Sequence, residues 1–131
     1  MSADPRAGAL LYVEDEVLIQ QLVECELRDA GFGLVLAADA EEALEILDSG
    51  RYQIQGLITD VNLGAGADGW AVARHARELI SGLPVIYVSG KDGHEWTSSG
   101  VPNSVMITKP FVPTQIVVAI SSLLNAAEPH N

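Results

Sequence analysis

Ala9-Leu10-Leu11-Tyr12-Val13-Glu14-Asp15-Glu16 is the stretch on which the fold turns. Ala9–Val13 is a continuous apolar run, too short to be a helix. Such a run reads as a strand covered on both faces, the habit of parallel sheets. Acidic residues follow at once, and helical spacing then takes over. Within Glu16–Ala30 the apolar positions are Leu18, Ile19, Leu22, Val23, Leu27 and Ala30. Gly31 stops that helix as its C-terminal glycine.

The same alternation continues outward. Gly33–Ala37 reads as a second strand, and Asp39 with Glu42 forms a capping box for a helix that Gly50 ends. Ile54–Thr59 is a third strand bounded by Asp60, and Leu63–Gly69 is a glycine-rich loop. Trp70–Ser81 has helical spacing through Ala73, Ala76, Arg77 and Ile80. Pro84–Val88 is a fourth strand. Gly90–Asn103 is rich in poor helix formers, so a fourth helix there should be short or mobile. Ser104–Thr108 is a fifth strand, and Pro113 opens a last helix through Ile116, Val117, Ile120, Leu123 and Leu124. Five strand–helix units predict a doubly wound α/β sandwich with a parallel sheet. Residues 1–8 read as a flexible N-terminus, 9–125 as one domain, and 126–131 as a flexible, frayed tail from about Asn125.

Composition narrows the function. The chain has 131 residues, 48% of them hydrophobic, with 7 Lys+Arg against 18 Asp+Glu and a formal charge of -11. That charge opposes binding to nucleic acid or to an anionic membrane. No run approaches a membrane span and no signal-peptide core precedes Gly8, so the expectation is a cytoplasmic protein. The single cysteine, Cys25, excludes an internal disulfide and reads as a small buried or half-buried hydrophobe. His75, His94 and His130 have no metal-ligand spacing.

Doubly wound sheets hold ligands at the carboxyl ends of their strands. Here those ends carry Glu14-Asp15-Glu16, Asp60, Ser89 and Lys109-Pro110. Clustered carboxylates repel, so a divalent cation is expected to hold them ionised, and all-oxygen ligands suit Mg²⁺. Asp60 can then be a nucleophile toward a phosphoryl group. Lys109 supplies a flexible countercharge, and Ser89 a hydrogen bond. Gly90 leaves room for the phosphate. Glu14 and Asp15 could equally cap the first helix, and Glu16 is expected to cap it or face solvent.

The motifs Val13-Glu14-Asp15, Thr59-Asp60-Val61-Asn62-Leu63, Asp68-Gly69, Val88-Ser89-Gly90 and Thr108-Lys109-Pro110-Phe111 stand in order at strand ends. Together they resemble the response-regulator receiver domain of bacterial two-component systems, over about Leu10 to Leu124. The resemblance implies a flavodoxin-like (βα)5 sandwich with strand order 2-1-3-4-5. It implies a phosphorelay switch, phosphorylated on Asp60 by a sensor histidine kinase and signalling through a downstream or phosphotransfer protein. By the same resemblance Asp15 is a direct metal ligand and Glu14 acts through water. Asn62 offers its backbone carbonyl to the metal, Ser89 is the switch hydroxyl, and Lys109 precedes a proline that is often cis. Such a domain catalyses only its own phosphoryl transfer and autodephosphorylation, as a monomer or weak homodimer.

Three features depart from that family's pattern. Met106 stands where an aromatic switch residue is usual, three residues before Lys109. The stretch between Ser89 and Lys109 is short and helix-poor. Gly64-Ala65-Gly66 follows Asp60 where proline is common. Together they resemble a divergent alphaproteobacterial subgroup. Met106 also motivates an alternative, an interaction module that works without phosphorylation. An aspartyl-nucleophile phosphatase is a third reading, but it needs an acid–base Asp two residues after the nucleophile, where Asn62 stands. Asn62 and Lys91, flanking the site, are expected to tune phosphate lifetime; Trp70 and Trp96 read as packing residues, with an exposed contact role as the alternative for Trp96.

Overall fold

The alternation read from the sequence is the architecture. In order, the elements are β1 (Ala9–Val13), α1 (Val17–Asp29), β2 (Leu34–Ala37), α2 (Ala40–Ser49) and β3 (Ile54–Asp60). They continue as α3 (Gly69–Leu79), β4 (Val85–Ser89), α4 (Trp96–Ser99), β5 (Ser104–Thr108) and α5 (Pro113–Ala127). The structure, a computed structural model, describes residues 8–64, 66–90 and 96–127. The expectations for residues 1–7 and 128–131, and for Lys91, His94 and His130, lie outside these. The strands form one parallel sheet in the order β2-β1-β3-β4-β5.

Each strand sends alternate side chains to opposite faces. Leu11, Val13, Leu57, Val85 and Tyr87 pack with Ala43 of α2 and Val72, Ala73 and Ala76 of α3. Leu10, Tyr12, Ile58, Ile86 and Val88 pack with Val23 and Leu27 of α1 and Ile116 and Ile120 of α5. Both faces of β1 are therefore buried, as its unbroken apolar run requires. Each fully buried Leu, Ile or Val contributes about 1.5–3 kcal/mol. No helix among the described residues is long and apolar enough to cross a membrane.

Helix ends follow the sequence signals. After α1, the Gly31 N–H bonds the Arg28 carbonyl and the Phe32 N–H the Leu27 carbonyl, with Gly31 at φ +96°. This is a Schellman ending, and only glycine takes that φ without strain. The Asp39 carboxylate accepts from the Glu42 N–H at 2.8 Å and so caps α2. Asp68 does the same for α3, accepting from the Ala71 N–H at 3.0 Å. Two expectations change. α5 runs through Asn125 and Ala126 to Ala127, where the sequence suggests fraying, because alanines prolong helices. Cys25 is exposed rather than buried, on the outer side of α1. Glu16 stands at the cap position of α1 and faces solvent, as expected, without a side-chain capping bond.

Candidate functional site

Strand register gathers the site. Val13 pairs with Thr59, so Glu14 and Asp60 leave neighbouring strands side by side. Asp60 pairs with Val88 and Ser89 with Thr108, which brings Ser89 and Lys109 to the same rim. The Lys109 N–H donates to the Ser89 carbonyl at 2.9 Å and prolongs the ladder one residue past β5. The Lys109–Pro110 peptide is cis.

Three carboxylates converge there. Oxygens of Glu14, Asp15 and Asp60 all lie within 4.8 Å of one another. Glu14 is 2% exposed and Asp60 4%, whereas Asp15 faces solvent. Lys109 Nζ donates to Asp60 Oδ2 at 3.0 Å and stands 4.0 Å from Glu16 Oε1. Ser89 is buried beside them. Asp15, Glu16, Asp60, Asn62, Ser89 and Lys109 line an open cleft of about 430 Å³. The Asn62 side chain is engaged in its own loop, where Oδ1 accepts from the Gly64 N–H at 3.2 Å.

Close packing fixes the Asp60 backbone. Gly69, the first residue of α3, donates its N–H to the Val61 carbonyl at 2.8 Å. A Cβ on Gly69 would collide with the Asp60 carbonyl oxygen and stand 2.9 Å from Val61 Cα. The helix start can lie against the strand end only because this residue has no side chain.

The charges are under-compensated. Burial pushes the Glu14 carboxyl up to about 8, and Asp60 adds to the push. The Glu16 N–H, which donates to Glu14 Oε2 at 3.1 Å, works against it. Burial also raises Asp60, although Lys109 opposes this. Burial alone would lower the Lys109 ammonium, but Asp60, Glu14 and Glu16 outweigh it and the net shift is upward. Among the described residues, one ammonium thus serves three converging carboxylates. Hard oxygen donors at this spacing, short of positive charge, fit a hard divalent cation. Glu14, Asp15 and Asp60 are the residues that could hold it.

The sequence pattern of the response regulator receiver domain matches residues 10–121, most of the chain. The chain belongs to the response-regulator receiver family. A receiver protein from Sinorhizobium medicae shares 41% identity and superposes with a TM-score of 0.88, covering 92% of this chain and 96% of that one. The receiver domain of the hybrid histidine kinase CckA shares 30% identity with a TM-score of 0.74, over 89% and 99% of the two chains. A probable transcriptional regulator of Cyanophora paradoxa is 31% identical over 121 residues, 91% of this chain but 49% of that protein. The chain therefore spans about half the length of the curated relatives it matches.

Within this receiver, every residue singled out at the strand ends reaches the same rim. Met106 is half-buried against the core on the α3 side and is the cross-strand neighbour of Tyr87. Trp70 is buried, and Trp96 is half-buried with its Nε1 donating to Ser104 Oγ at 2.9 Å. His75 is paired outside the site, 2.6 Å from Asp48 Oδ1. Two features of the site carry no signal in the sequence. The Tyr12 hydroxyl is buried without a hydrogen-bond partner among the described residues, two positions before Glu14. An apolar groove lined by Ile19, Leu22, Val23, Pro110, Phe111 and Pro113 adjoins the acidic cleft and shares Lys109 with it. Leu22 of α1, 63% exposed, gives that groove an apolar wall open to solvent.

Proposed function

We propose that this receiver is a switch phosphorylated on Asp60 by a sensor histidine kinase, with Mg²⁺, and that it signals through a partner protein. The observation that carries this is the buried Asp60 carboxylate, held 3.0 Å from Lys109 inside a cluster with Glu14 and Asp15. An Asp60 oxygen attacks phosphorus, the donor's P–N bond breaks, and an acyl phosphate forms as the imidazole leaves. Bound Mg²⁺ would neutralise part of the phosphoryl charge; Glu14, Asp15, Asp60 and the Asn62 backbone carbonyl would hold it. Lys109 exchanges its bond to Asp60 for one to a phosphoryl oxygen. Ser89 donates to another. Asp60 carries the group itself, so turnover is limited to the receiver's own phosphorylation and hydrolysis.

The apolar groove beside the cleft supports a protein donor. A histidine-bearing helix seated against Ile19, Leu22 and Phe111 would bring its ring to the rim shared through Lys109. The unit that does this is residues 9–125, in the cytoplasm. A gel that retards phosphorylated protein tests the reading, after incubation with acetyl phosphate. A retarded band that needs Mg²⁺ and vanishes in Asp60→Ala is expected. A band that survives Asp60→Ala, or no band at all, contradicts it.

A further inference from the structure

β4 sends Tyr87 and Ser89 to the same side of the sheet, two residues apart. Tyr87 is fully buried, its ring tilted against Trp70 of α3 with centroids 4.5 Å apart. Its hydroxyl reaches past the sheet and accepts from the Val101 N–H at 3.0 Å. The Val101 carbonyl accepts from Ser104 Oγ at 2.7 Å, and the same Oγ accepts from Trp96 Nε1. The Gly100 N–H closes the turn onto the Trp96 carbonyl at 2.9 Å. α4 and the turn after it are thus one small folded unit, tied to the sheet at Val101.

The far end of that unit is anchored separately. Arg77 Nε donates to the Leu83 carbonyl at 2.6 Å, and its Nη1 to the Pro102 carbonyl at 2.7 Å. Asn103 beside it is the only non-glycine residue with positive φ among the described residues, at 59°. α4 has four residues, far too few to hold a helix by its own backbone bonds. The unit has further ties, among them Arg74 Nη1 to the Ser99 carbonyl at 3.4 Å and Trp96 Nε1 to Ser104 Oγ of β5. Release of the Tyr87 bond would loosen Val101 and the turn after α4 while Arg77 keeps the base of that turn in place.

Both partners of Tyr87 lead back to the cleft. Ser89 follows it on β4 and lines the cleft. Trp70 follows Gly69, which rests on the Asp60 backbone. Its cross-strand neighbour Met106 has no hydroxyl with which to make such a tie. We propose that Tyr87 is the latch through which the state of Asp60 reaches the surface. Its hydroxyl holds Val101 and α4 in the unphosphorylated state. It lets go when a phosphoryl group on Asp60 draws in Ser89 and the end of β4. The inference rests on the reading of Asp60 as phosphoacceptor.

Amide hydrogen exchange at Val101, followed by NMR in the full chain, tests it. Wild type with Mg²⁺ and acetyl phosphate should exchange Val101 about tenfold faster than without donor, the factor carried by one lost buried hydrogen bond. The Leu57 amide in β3 should not change. Tyr87→Phe should exchange Val101 fast in both conditions yet gain the phosphoryl mass as wild type does. A phosphoryl mass gain with unchanged Val101 exchange in wild type overturns the coupling. Protection of Val101 surviving Tyr87→Phe overturns the tie. Absence of any mass gain overturns the phosphoacceptor reading, and the coupling falls with it. The wild-type comparison needs no variant to fold.

Discussion

Glu14→Gln should stabilise the metal-free protein, and only at neutral to alkaline pH. Glu14 is 2% exposed, and its pKa rises from the ordinary 4.5 to about 8 through burial and the Asp60 charge. A folded-state pKa above the unfolded one means that stability is complete below pH 4.5 and is lost as pH rises toward 8. At about 1.36 kcal/mol per unit, the upper limit of that loss is roughly 5 kcal/mol. Relaxation around the buried charge takes up part of that cost, so about 2 kcal/mol is expected at pH 8. Glutamine keeps an oxygen for the Glu16 N–H, which donates to Glu14 Oε2 at 3.1 Å, and removes the charge. Urea unfolding in chelator at pH 5 and pH 8 measures the effect. The variant should match wild type within about 0.5 kcal/mol at pH 5 and exceed it by about 2 kcal/mol at pH 8. Wild type should gain more from Mg²⁺ at pH 8 than the variant does. Equal differences at both pH values, or a less stable variant at pH 8, would mean that the buried Glu14 charge does not destabilise the fold.

Three further substitutions probe the surroundings. Lys109→Met keeps the aliphatic stem but strips Asp60 of its ammonium, so unfolding at pH 8 should show a loss of about 2 kcal/mol that Mg²⁺ partly restores. Tyr12→Phe removes a buried hydroxyl with no partner among the described residues, and should be neutral or raise stability by about 1 kcal/mol in the same assay. Gly69→Ala puts a methyl group into the Asp60 carbonyl, so the protein should lose about 2 kcal/mol or more and accept phosphate more slowly from acetyl phosphate.

The sheet was legible because its strands are buried on both faces. Unbroken apolar runs such as Ala9–Val13 and Ile86–Val88 stand out against helical spacing, and Gly31, Asp39 and Pro113 mark helix ends by their own backbone chemistry. The cleft was legible for the same reason, since parallel strands put their carboxyl ends on one rim. Tertiary contacts were not. Arg77 reads as part of a helical stripe, yet its guanidinium holds carbonyls 25 and 26 residues away. The Tyr87 hydroxyl meets Val101 across 14 residues, and no local pattern announces that pair. Cys25 looked apolar by type, but its helix turns it outward. Asp68-Gly69 was legible as a motif, whereas its reason, the approach of α3 to Asp60, is a distance that only the fold supplies.

A phosphoryl group on Asp60 can be marked chemically. Borohydride reduces an acyl phosphate to an alcohol, so protein treated with acetyl phosphate and Mg²⁺, then reduced and digested, marks the acceptor. Peptide mass spectrometry should find homoserine at position 60, and none when chelator replaces Mg²⁺. A reduced residue at Glu14 or Asp15 instead, or no reduced residue with Mg²⁺ present, would contradict phosphorylation on Asp60.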